Sequence, residues 1–220
     1  NDFNVSIRSW LKAGGTIKTY ITPKDEQETI KVVNFLKDKK YDYKILGNLS
    51  NIIIRDGLIF TPILNLSKLN QINQKLDKNK LELKVDAGVS IPRFANHVMK
   101  QEYSGTESLL GIPGSIGGGI YMNASCYGSG LTDYLASIKS INAKGEIIVR
   151  DKQDAKLEWR KSIYHENEDI IISAIFQFPA SQKKNIDIIK SKSEKIKFHR
   201  KKIQESDRPN LGSLFATKNL

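Results

Sequence analysis

The sequence predicts an α+β fold, in which strands and helices occupy separate stretches of the chain. Stretches with strand character, such as residues 81–86 and 169–178, do not alternate regularly with helical stretches, as they would in a doubly wound parallel sheet. Two alternating runs on either side of residues 143–146 predict an antiparallel hairpin. With 220 residues, the chain is long enough for one large domain or two smaller ones.

The first third of the chain predicts one helix between short strands. Thr22-Pro23-Lys24-Asp25 places a capping residue, a proline and an acid in the order that opens a helix. This helix should run to about Lys39, with its buried side formed by Ile30, Val33 and Leu36. The stretches YKIL, IIIRDG and LIFTPIL predict strands, and GNLSN predicts a turn after the first of them.

The remainder predicts longer strands and two more helices. LELKVDAGVS alternates as a strand does, and Ser90 followed by Pro92 opens a helix. ASIKSINAKGEIIVRD predicts the hairpin, and DIIISAIFQFP predicts a buried strand. From Ser181 we expect a long amphipathic helix, because isoleucines recur there at spacings of three and seven residues. These isoleucines are Ile186, Ile189, Ile196 and Ile203.

The charge balance suggests an anionic partner. The formal net charge is +11 and the isoelectric point is about 9.5. Much of the excess lies in residues 183–202, where Phe198 is the only aromatic residue, so a base-stacking surface is not indicated and no nucleic-acid partner is expected. We interpret this stretch as the solvated, lysine-rich face of a helix. No apolar run approaches the ~18 residues of a membrane span.

Cysteine and histidine usage restricts the chemistry further. Cys126 is the only cysteine and cannot form an internal disulfide, which favours a reducing cytoplasm. The first residues carry no apolar signal region, so no signal peptide is expected. His97, His165 and His199 are scattered without metal-ligand spacing, and we expect no metal site. The sequence does not indicate an oligomeric state.

The most informative stretch is GIPGSIGGGIYMNASCYG, residues 111–128, in which six of eighteen residues are glycine. A simple turn needs one or two glycines. The stretch lacks the Gly-Lys-Ser/Thr ending of a phosphate-binding P-loop and does not match G-x-G-x-x-G between a strand and a helix. Backbone N–H groups without obstructing side chains form anion-binding concavities, so the stretch predicts a site for a phosphate-bearing ligand.

A second small-residue loop, Leu46–Asn51, lies between two strand-like runs. Taken alone, it is typical of an ordinary hairpin connection. Two such loops in one chain favour a dinucleotide that is held between two subdomains.

These stretches together resemble the UDP-N-acetylenolpyruvoylglucosamine reductase family, also called the UDP-N-acetylmuramate dehydrogenases. LLGIPGSIGGGIYMNASCYG is similar to the family's flavin-binding signature, which reads close to GIPGSVGGAVYMNAGAYG. Further similar stretches follow in the family's order. They are Ala13-Gly14-Gly15 with Thr22-Pro23, LGNLSNIIIRDG, LEWRKSIYH, IIISAIFQF and HRKKIQESDRPNLGSLF.

The resemblance implies a vanillyl-alcohol-oxidase-type flavin fold, in which two α+β subdomains hold FAD between them. Residues 1–70 would form the first FAD-binding subdomain, and residues 71–180 the second, with the glycine-rich loop 111–128. Residues 181–220 would begin a substrate domain that continues further in the family. A change of composition near Pro179 agrees with the second boundary.

The resemblance also implies non-covalent FAD, with NADPH as the hydride donor. Backbone groups would hold the pyrophosphate, because neither loop carries a lysine or an arginine, and the glycines would allow an approach at which a Cβ would collide with the cofactor. The residues implied at the FAD are Gly47, Asn48, Leu49, Ser50 and Asn51 in the first loop, and Gly111, Ile112, Pro113, Gly114, Ser115, Gly117, Gly118, Asn123 and Ala124 in the second.

The implied reaction is the reduction of UDP-N-acetylglucosamine enolpyruvate to UDP-N-acetylmuramate in peptidoglycan synthesis, with a UDP-sugar as substrate. By match to the family motifs, Arg160 would stabilise the negative charge that develops toward the substrate carboxylate. Ser213 would donate the proton that completes the second carbon.

Several positions depart from the family pattern. Leu49 and Ser125 replace glycines, and Glu205 stands where a proline follows the glutamine. The family's late catalytic glutamate has no counterpart in this sequence. Two alternatives therefore stay open: a divergent FAD-dependent oxidase or reductase of surface-polysaccharide sugars, and a non-catalytic nucleotide-binding protein on the same fold.

Overall fold

The computed structural model describes residues 2–76, 79–203 and 208–212. Its helices are α1 (Val5–Arg8), α2 (Glu26–Asp38), α3 (Ile91–Lys100), α4 (Ile116–Tyr121), α5 (Tyr164–Asn167) and α6 (Ile186–Ile203). Short 3₁₀ turns occupy Glu107–Gly111, Gln153–Ala155 and Ala180–Gln182. Its strands are β1 (Phe3–Asn4), β2 (Thr16–Ile17), β3 (Tyr20–Ile21), β4 (Lys44–Ile45), β5 (Leu58–Ile59), β6 (Ile63–Leu64), β7 (Ile72–Leu76), β8 (Lys80–Asp86), β9 (Ser125–Cys126), β10 (Ser129–Gly130), β11 (Leu135–Ile141), β12 (Ile147–Asp151) and β13 (Ile170–Pro179).

Two small sheets form within residues 3–64. The first has the strand order β1-β2-β5, and the second, β3-β6-β4, is parallel throughout. Each of these strands is only two residues long. Residues next to the strands make further backbone hydrogen bonds between them. The N–H of Asn65, for example, donates to the carbonyl of Ile21 at 2.9 Å, directly beyond the end of β6.

A five-stranded antiparallel sheet forms from residues 72–179, in the order β12-β11-β13-β8-β7. Its central strand β13 pairs with β8 from Ser173 opposite Asp86 to Pro179 opposite Lys80. The first five residues of β13 are all buried, which accounts for its continuous apolar sequence. The predicted hairpin is confirmed as β11 and β12, and the N–H of Gly145 closes its turn on Asn142.

One large apolar core joins the small sheets to the large one. The rings of Phe94 on α3 and Phe176 on β13 lie 4.5 Å apart within it. Val33 of α2 and Leu64 of β6 belong to the same cluster, so residues from both halves of the chain share this interior. A separate small cluster beneath the first sheet consists of Val5, Ile17 and Ile63.

Helix α2 begins later than its sequence predicts. Its N-cap is Asp25 and not Thr22, because the Asp25 carboxylate accepts the N–H of Glu28 at 2.8 Å. A charged acceptor makes the stronger hydrogen bond, which favours the later start. The predicted start of α3 is confirmed, since Ser90 caps it by accepting the N–H of Arg93.

Two further element predictions are wrong in detail. Residues 52–57 form no strand of their own in the described part of the chain, although the carbonyls of Arg55 and Gly57 accept backbone bonds from Gly15 at 3.0 Å and from Thr16 at 2.9 Å. Helix α6 begins at Ile186 and not at Ser181, where a 3₁₀ turn stands instead. Within its isoleucine stripe, Ile189 is fully buried but Ile203 is 62% exposed, so the stripe is not covered along its whole length.

None of the helices in the described ranges combines the length and the apolar content that crossing a membrane requires. The cytoplasmic location stays a prediction.

The buried carboxylate of Glu107 connects α6 to the 3₁₀ turn that precedes the glycine-rich segment. Glu107 is 1% exposed and accepts hydrogen bonds from Ser104 Oγ at 2.5 Å and from the N–H of Gly105 at 2.9 Å. Nζ of Lys192, on α6, lies 3.1 Å from the same carboxylate. Burial by itself raises the pKa of Glu107, but these hydrogen bonds outweigh burial, so the pKa lies below its ordinary value.

We expect Glu107→Gln to lower the free energy of unfolding by about 1–3 kcal/mol at neutral pH, because a buried, charge-assisted network loses its acceptor. Since the folded-state pKa of Glu107 lies below the reference value of 4.5, the contribution of the carboxylate is fully present above that pH and is lost as the pH falls through the folded-state pKa. Urea unfolding of both proteins across this range measures the effect. If the difference in unfolding free energy between the two proteins stayed constant as the pH fell below 4.5, this expectation would be contradicted.

Candidate functional site

The glycine-rich segment is fastened to the end of β8 by backbone hydrogen bonds. We call residues 87–91, which connect β8 to α3, the β8–α3 junction. The N–H groups of Ile116 and Gly117 donate to the carbonyls of Val89 and Ala87 at 2.8 and 2.9 Å. In return, the N–H of Ile91 donates to the carbonyl of Gly114 at 3.0 Å, so the segment is held from both directions.

The segment was expected to be a loop over residues 111–128, and the structure corrects this. Its first glycine ends a 3₁₀ turn, residues 112–115 are irregular, and the triple glycine lies inside helix α4. Ser115 is the N-cap of that helix and accepts the N–H of Gly118 at 3.4 Å. A backbone that is helical here keeps residues 116–121 in a single compact turn against the large sheet.

Three glycines of the segment lie close to other parts of the protein. A Cβ on Gly119 would lie 2.4 Å from the side chain of Leu131, and one on Gly111 would collide with the guanidinium of Arg200. A Cβ on Gly117 would come within 3.0 Å of Ala87. At these three positions the packing of the protein itself favours glycine, so a glycine there does not by itself indicate a ligand.

Gly118 is the exception. It is exposed, its φ is not positive, and an added Cβ would meet only Ser115 Oγ, at 3.5 Å. Nothing in the described part of the protein occupies the space in front of it. A requirement for glycine at this position would have to come from a ligand.

The structure brings the first loop, residues 47–51, directly against the glycine-rich segment. Ser50 Oγ donates to the carbonyl of Pro113 at 3.1 Å. Gly47 faces Ser115 so closely that a Cβ on Gly47 would lie 2.9 Å from Ser115 Oγ. The two stretches that the sequence singled out independently thus form one continuous backbone surface.

Unpaired backbone donors distinguish this surface. Within the described ranges, none of the N–H groups of residues 47–51 has a protein acceptor, and those of Gly114 and Ser115 also lack one. Neither stretch carries a charged side chain. A concentration of free N–H groups without carboxylates is suited to an anion such as a diphosphate.

Leu49 adopts a backbone conformation that glycine adopts most readily. Its φ is +52°, in the left-handed region, yet its side chain is only 4% exposed. The carbonyl of Leu49 also accepts the N–H of Trp10 at 3.2 Å. The leucine therefore points into the protein and leaves the outer side of the loop open.

The second departure from the family pattern, Ser125, has no positive φ and pairs with Gly130 in a short hairpin, so this position does not require glycine.

Asn123 and Ala124 are engaged with the protein. Nδ2 of Asn123 donates to the carbonyl of Glu158 at 2.9 Å, and its Oδ1 accepts the hydroxyl of Thr132 at 2.6 Å. Ala124 is 7% exposed, and its N–H donates to Gly119. Both ends of the Asn123 amide are thus occupied, and this side chain ties residue 158 to the glycine-rich segment.

Arg160 lies beside the same segment. Its φ is +55°, its guanidinium lies 4.8 Å from the ring centre of Trp159, and its Nη2 is 3.4 Å from the carbonyl of Ser125. Ser162, two residues after Arg160, is 1% exposed and donates to the carbonyl of Tyr121 at 2.7 Å, so the chain is also held to the segment on this side of Arg160. The second residue of the predicted catalytic pair, Ser213, lies outside the described residues.

Two residues at the site were missed by reasoning from the sequence. Arg200 of α6 reaches back to the segment, donates to Cys126 Sγ at 2.6 Å and lies 5.4 Å above the ring of Tyr127. Its Nε is buried without a hydrogen-bond partner. The stretch HRKKIQ contained it, but only the fold shows that it covers Gly111. The other residue, Asn65, carried no signal, because it is a single polar residue after a two-residue strand.

Potential metal ligands do not cluster in the described part of the chain, where no three His, Cys, Asp or Glu side chains converge. His165 stacks on the ring of Tyr121 with the ring centres 3.8 Å apart. Cys126 has a free thiol.

Residues 17–150 match the family described as FAD binding domain. Several curated relatives carry the name UDP-N-acetylenolpyruvoylglucosamine reductase. The chain is 32% identical to the protein from Clostridium novyi over 214 residues, which are 96% of this chain and 67% of the relative. It is 31% identical to the protein from Shouchella clausii, covering 97% and 67%, and 35% identical to that from Lactobacillus acidophilus, covering 83% and 60%. The chain thus spans about two thirds of the length of these relatives.

Solved structures confirm the predicted α+β fold. UDP-N-acetylenolpyruvylglucosamine reductase from Thermus caldophilus matches with a TM-score of 0.79, over 96% of this chain and 72% of that one, at 20% identity. A cholesterol oxidase from Brevibacterium sterolicum matches with a TM-score of 0.58, over 81% and 37%, at 16% identity. At such identities the likeness is one of fold.

The left-handed conformation of Leu49 allows a stability test. We expect Leu49→Ala to lower the free energy of unfolding by about 2–4 kcal/mol, because a buried side chain is lost and the backbone strain remains. Leu49→Gly loses the same side chain but relieves about 1 kcal/mol of strain, so it should be the more stable of the two.

Thermal or urea unfolding of the two variants beside the parent protein measures this order. At an ordinary position the alanine variant is favoured, since glycine gains more entropy on unfolding. A glycine variant that is clearly the less stable would show that residue 49 does not hold the positive φ in solution.

Proposed function

The chain belongs to the UDP-N-acetylenolpyruvoylglucosamine reductase family, and on this premise we propose that it binds FAD across residues 47–51 and 111–118 and reduces an enolpyruvyl UDP-sugar with hydride from NADPH. One observation carries the proposal. Two separate small-residue stretches meet through Ser50 and Pro113, and within the described residues the N–H groups of residues 47–51, Gly114 and Ser115 have no protein acceptor.

The residues present fit FAD as the cofactor. The pyrophosphate would lie against the N–H groups of residues 47–51, where no carboxylate of the two stretches repels it. The open side of Gly118 supports an approach of the flat flavin ring to the main chain. Bound FAD would supply reversible hydride transfer between NADPH and the substrate. No covalent link is proposed, because Cys126 stands where the family signature has alanine.

Arg160 is the residue of this chain that would act on the substrate. Hydride delivered to the terminal alkene carbon leaves negative charge on the carbon next to the carboxylate. A fixed guanidinium lowers the energy of that charge as it develops. The proton that completes this carbon would come from Ser213, which stays a prediction because it lies outside the described residues.

The position of Arg160 depends on two anchors at the glycine-rich segment. Asn123 holds the carbonyl of Glu158 on one side, and Ser162 binds the carbonyl of Tyr121 on the other. A cation that is held by the same segment as the cofactor needs little reorganisation when the reaction begins. The UDP-sugar would bind on this side of the glycine-rich segment.

Gly118→Val tests the site of FAD. Valine is tolerated about as well as glycine within a helix, and the space at residue 118 is free of protein, so the variant should stay folded. Its affinity for FAD should fall on the order of 100-fold or more, because the side chain fills the ligand's space. Titration of apoprotein with FAD measures this.

Gly119→Val serves as the matched control. Its side chain would collide with Leu131, so the melting temperature of this variant should fall even in the absence of the cofactor. If Gly118→Val bound FAD with unchanged affinity, the flavin would not lie against residue 118.

Arg160→Ala tests the chemical role. Reduction of the flavin by NADPH develops no charge at the substrate, so its rate should stay within about twofold of the parent, whereas reoxidation by the enolpyruvyl substrate should slow by ~10²–10³-fold. Ser213→Ala should show the same pattern, and its rate of flavin reoxidation by the enolpyruvyl substrate should fall by ~10²–10⁴-fold. Stopped-flow absorbance of the flavin in each half-reaction measures both.

Arg8→Ala removes an exposed arginine of α1, which lies outside both stretches of the proposed FAD site, and should leave both rates unchanged. Equal slowing of both half-reactions in Arg160→Ala would show that the arginine is structural. If the enolpyruvyl substrate reoxidised the flavin of Arg160→Ala at the parent rate, Arg160 would have no role in the chemical step.

A further inference from the structure

Asn65 is a buried polar residue in contact with the backbone of the first loop. It follows β6 and is 3% exposed. Its Nδ2 donates two hydrogen bonds, to the carbonyl of Leu46 at 2.7 Å and to that of Gly47 at 2.9 Å. Its Oδ1 accepts the N–H of Ser67 at 3.0 Å, so both ends of the amide are used.

These bonds begin where the parallel ladder between β4 and β6 ends. The last backbone bond of that ladder runs from the N–H of Leu46 to the carbonyl of Leu64 at 3.1 Å. Beyond it, the side chain of Asn65 replaces the missing strand as the partner of the next two carbonyls. The loop therefore leaves the sheet with a defined direction and not as a free end.

The same bonds orient the neighbouring N–H groups. In a planar trans peptide the C=O and the following N–H point in opposite directions. The carbonyls of Leu46 and Gly47 both point at Asn65, so the N–H groups of Gly47 and Asn48 both point away from it. In a regular strand successive N–H groups alternate between two sides, whereas here two of them point the same way, as in an anion-binding nest.

We propose that Asn65 is a positioning residue for the cofactor's diphosphate: it holds two successive carbonyls inward so that the N–H groups of Gly47 and Asn48 are presented together to the diphosphate. This inference rests on the proposed function of the loop. Asparagine is the side chain that suits the task, because it supplies two hydrogens from one nitrogen. Aspartate has a similar shape but would place negative oxygens against both carbonyls.

The test compares two flavins that differ in the diphosphate. FAD carries it and riboflavin does not, so a residue that positions the diphosphate-binding loop acts on FAD alone. In full-length Asn65→Ala apoprotein, we expect the dissociation constant for FAD to rise on the order of 10- to 100-fold and that for riboflavin to change by less than about threefold. Quenching of flavin fluorescence measures both constants.

Two further variants keep the test decisive. Asn65→Asp preserves the side-chain volume and the acceptor for Ser67 but loses both donors, so it should lose FAD affinity at least as strongly, even if the alanine variant folds poorly. Asn142→Ala is the matched control, since Asn142 also bonds through both amide ends, to Glu146 and Lys144, in the hairpin turn between β11 and β12. It should leave both affinities unchanged.

The outcomes separate the inference from its premise. Equal losses for FAD and riboflavin would show that Asn65 only stabilises the fold, and unchanged affinity for both would show that it positions nothing. Either result overturns the inference while FAD binding by the parent protein stands. A parent apoprotein that binds no FAD would overturn the proposed function itself.

Discussion

The close approach of three backbone segments at the β8–α3 junction is the constraint on which the other features depend. A Cβ on Gly88 would lie 2.1 Å from the carbonyl oxygen of Leu66, and the N–H of Gly88 donates to the carbonyl of Leu69 at 2.9 Å. On the other side, Gly117 donates to Ala87 at 2.9 Å. Only glycine allows main chains to pack this closely from both sides. The chain that follows β6 and the glycine-rich segment are therefore both held against the β8–α3 junction.

A site made in this way is built from the main chain. The strongly basic charge of the protein lies elsewhere, much of it in residues 183–202, and the two stretches that meet carry no charge at all. Backbone N–H groups bind an anion at fixed positions and do not have to be ordered when it arrives, unlike long lysine side chains. Arg200 and Arg160 reach the margins of the segment from α6 and from the turn before α5, so positive charge lies at its edges.

Reasoning from the sequence located both stretches correctly but explained the glycines only in part. Gly111 and Gly117 were assigned to a ligand, and the structure places both close to protein atoms as well, those of Arg200 and Ala87. A glycine in the sequence shows that space is needed, but it does not show what fills that space. Asn123 matched a cofactor motif, and its side-chain amide bonds within the protein to Glu158 and Thr132.

What the sequence determined by itself is local or compositional: the hairpin around Gly145, the capped start of α3, the buried strand β13 and the two small-residue stretches. Each of these follows from periodicity, capping chemistry or residue size over a few neighbours. Tertiary structure alone decided which atoms meet. It placed Ser50 on Pro113, directed Leu49 inward at a positive φ, and set Asn65 under the carbonyls of Leu46 and Gly47. These contacts join residues that are up to 63 positions apart, and such pairings arise from the packing of whole sheets, for which no short stretch of sequence carries the information.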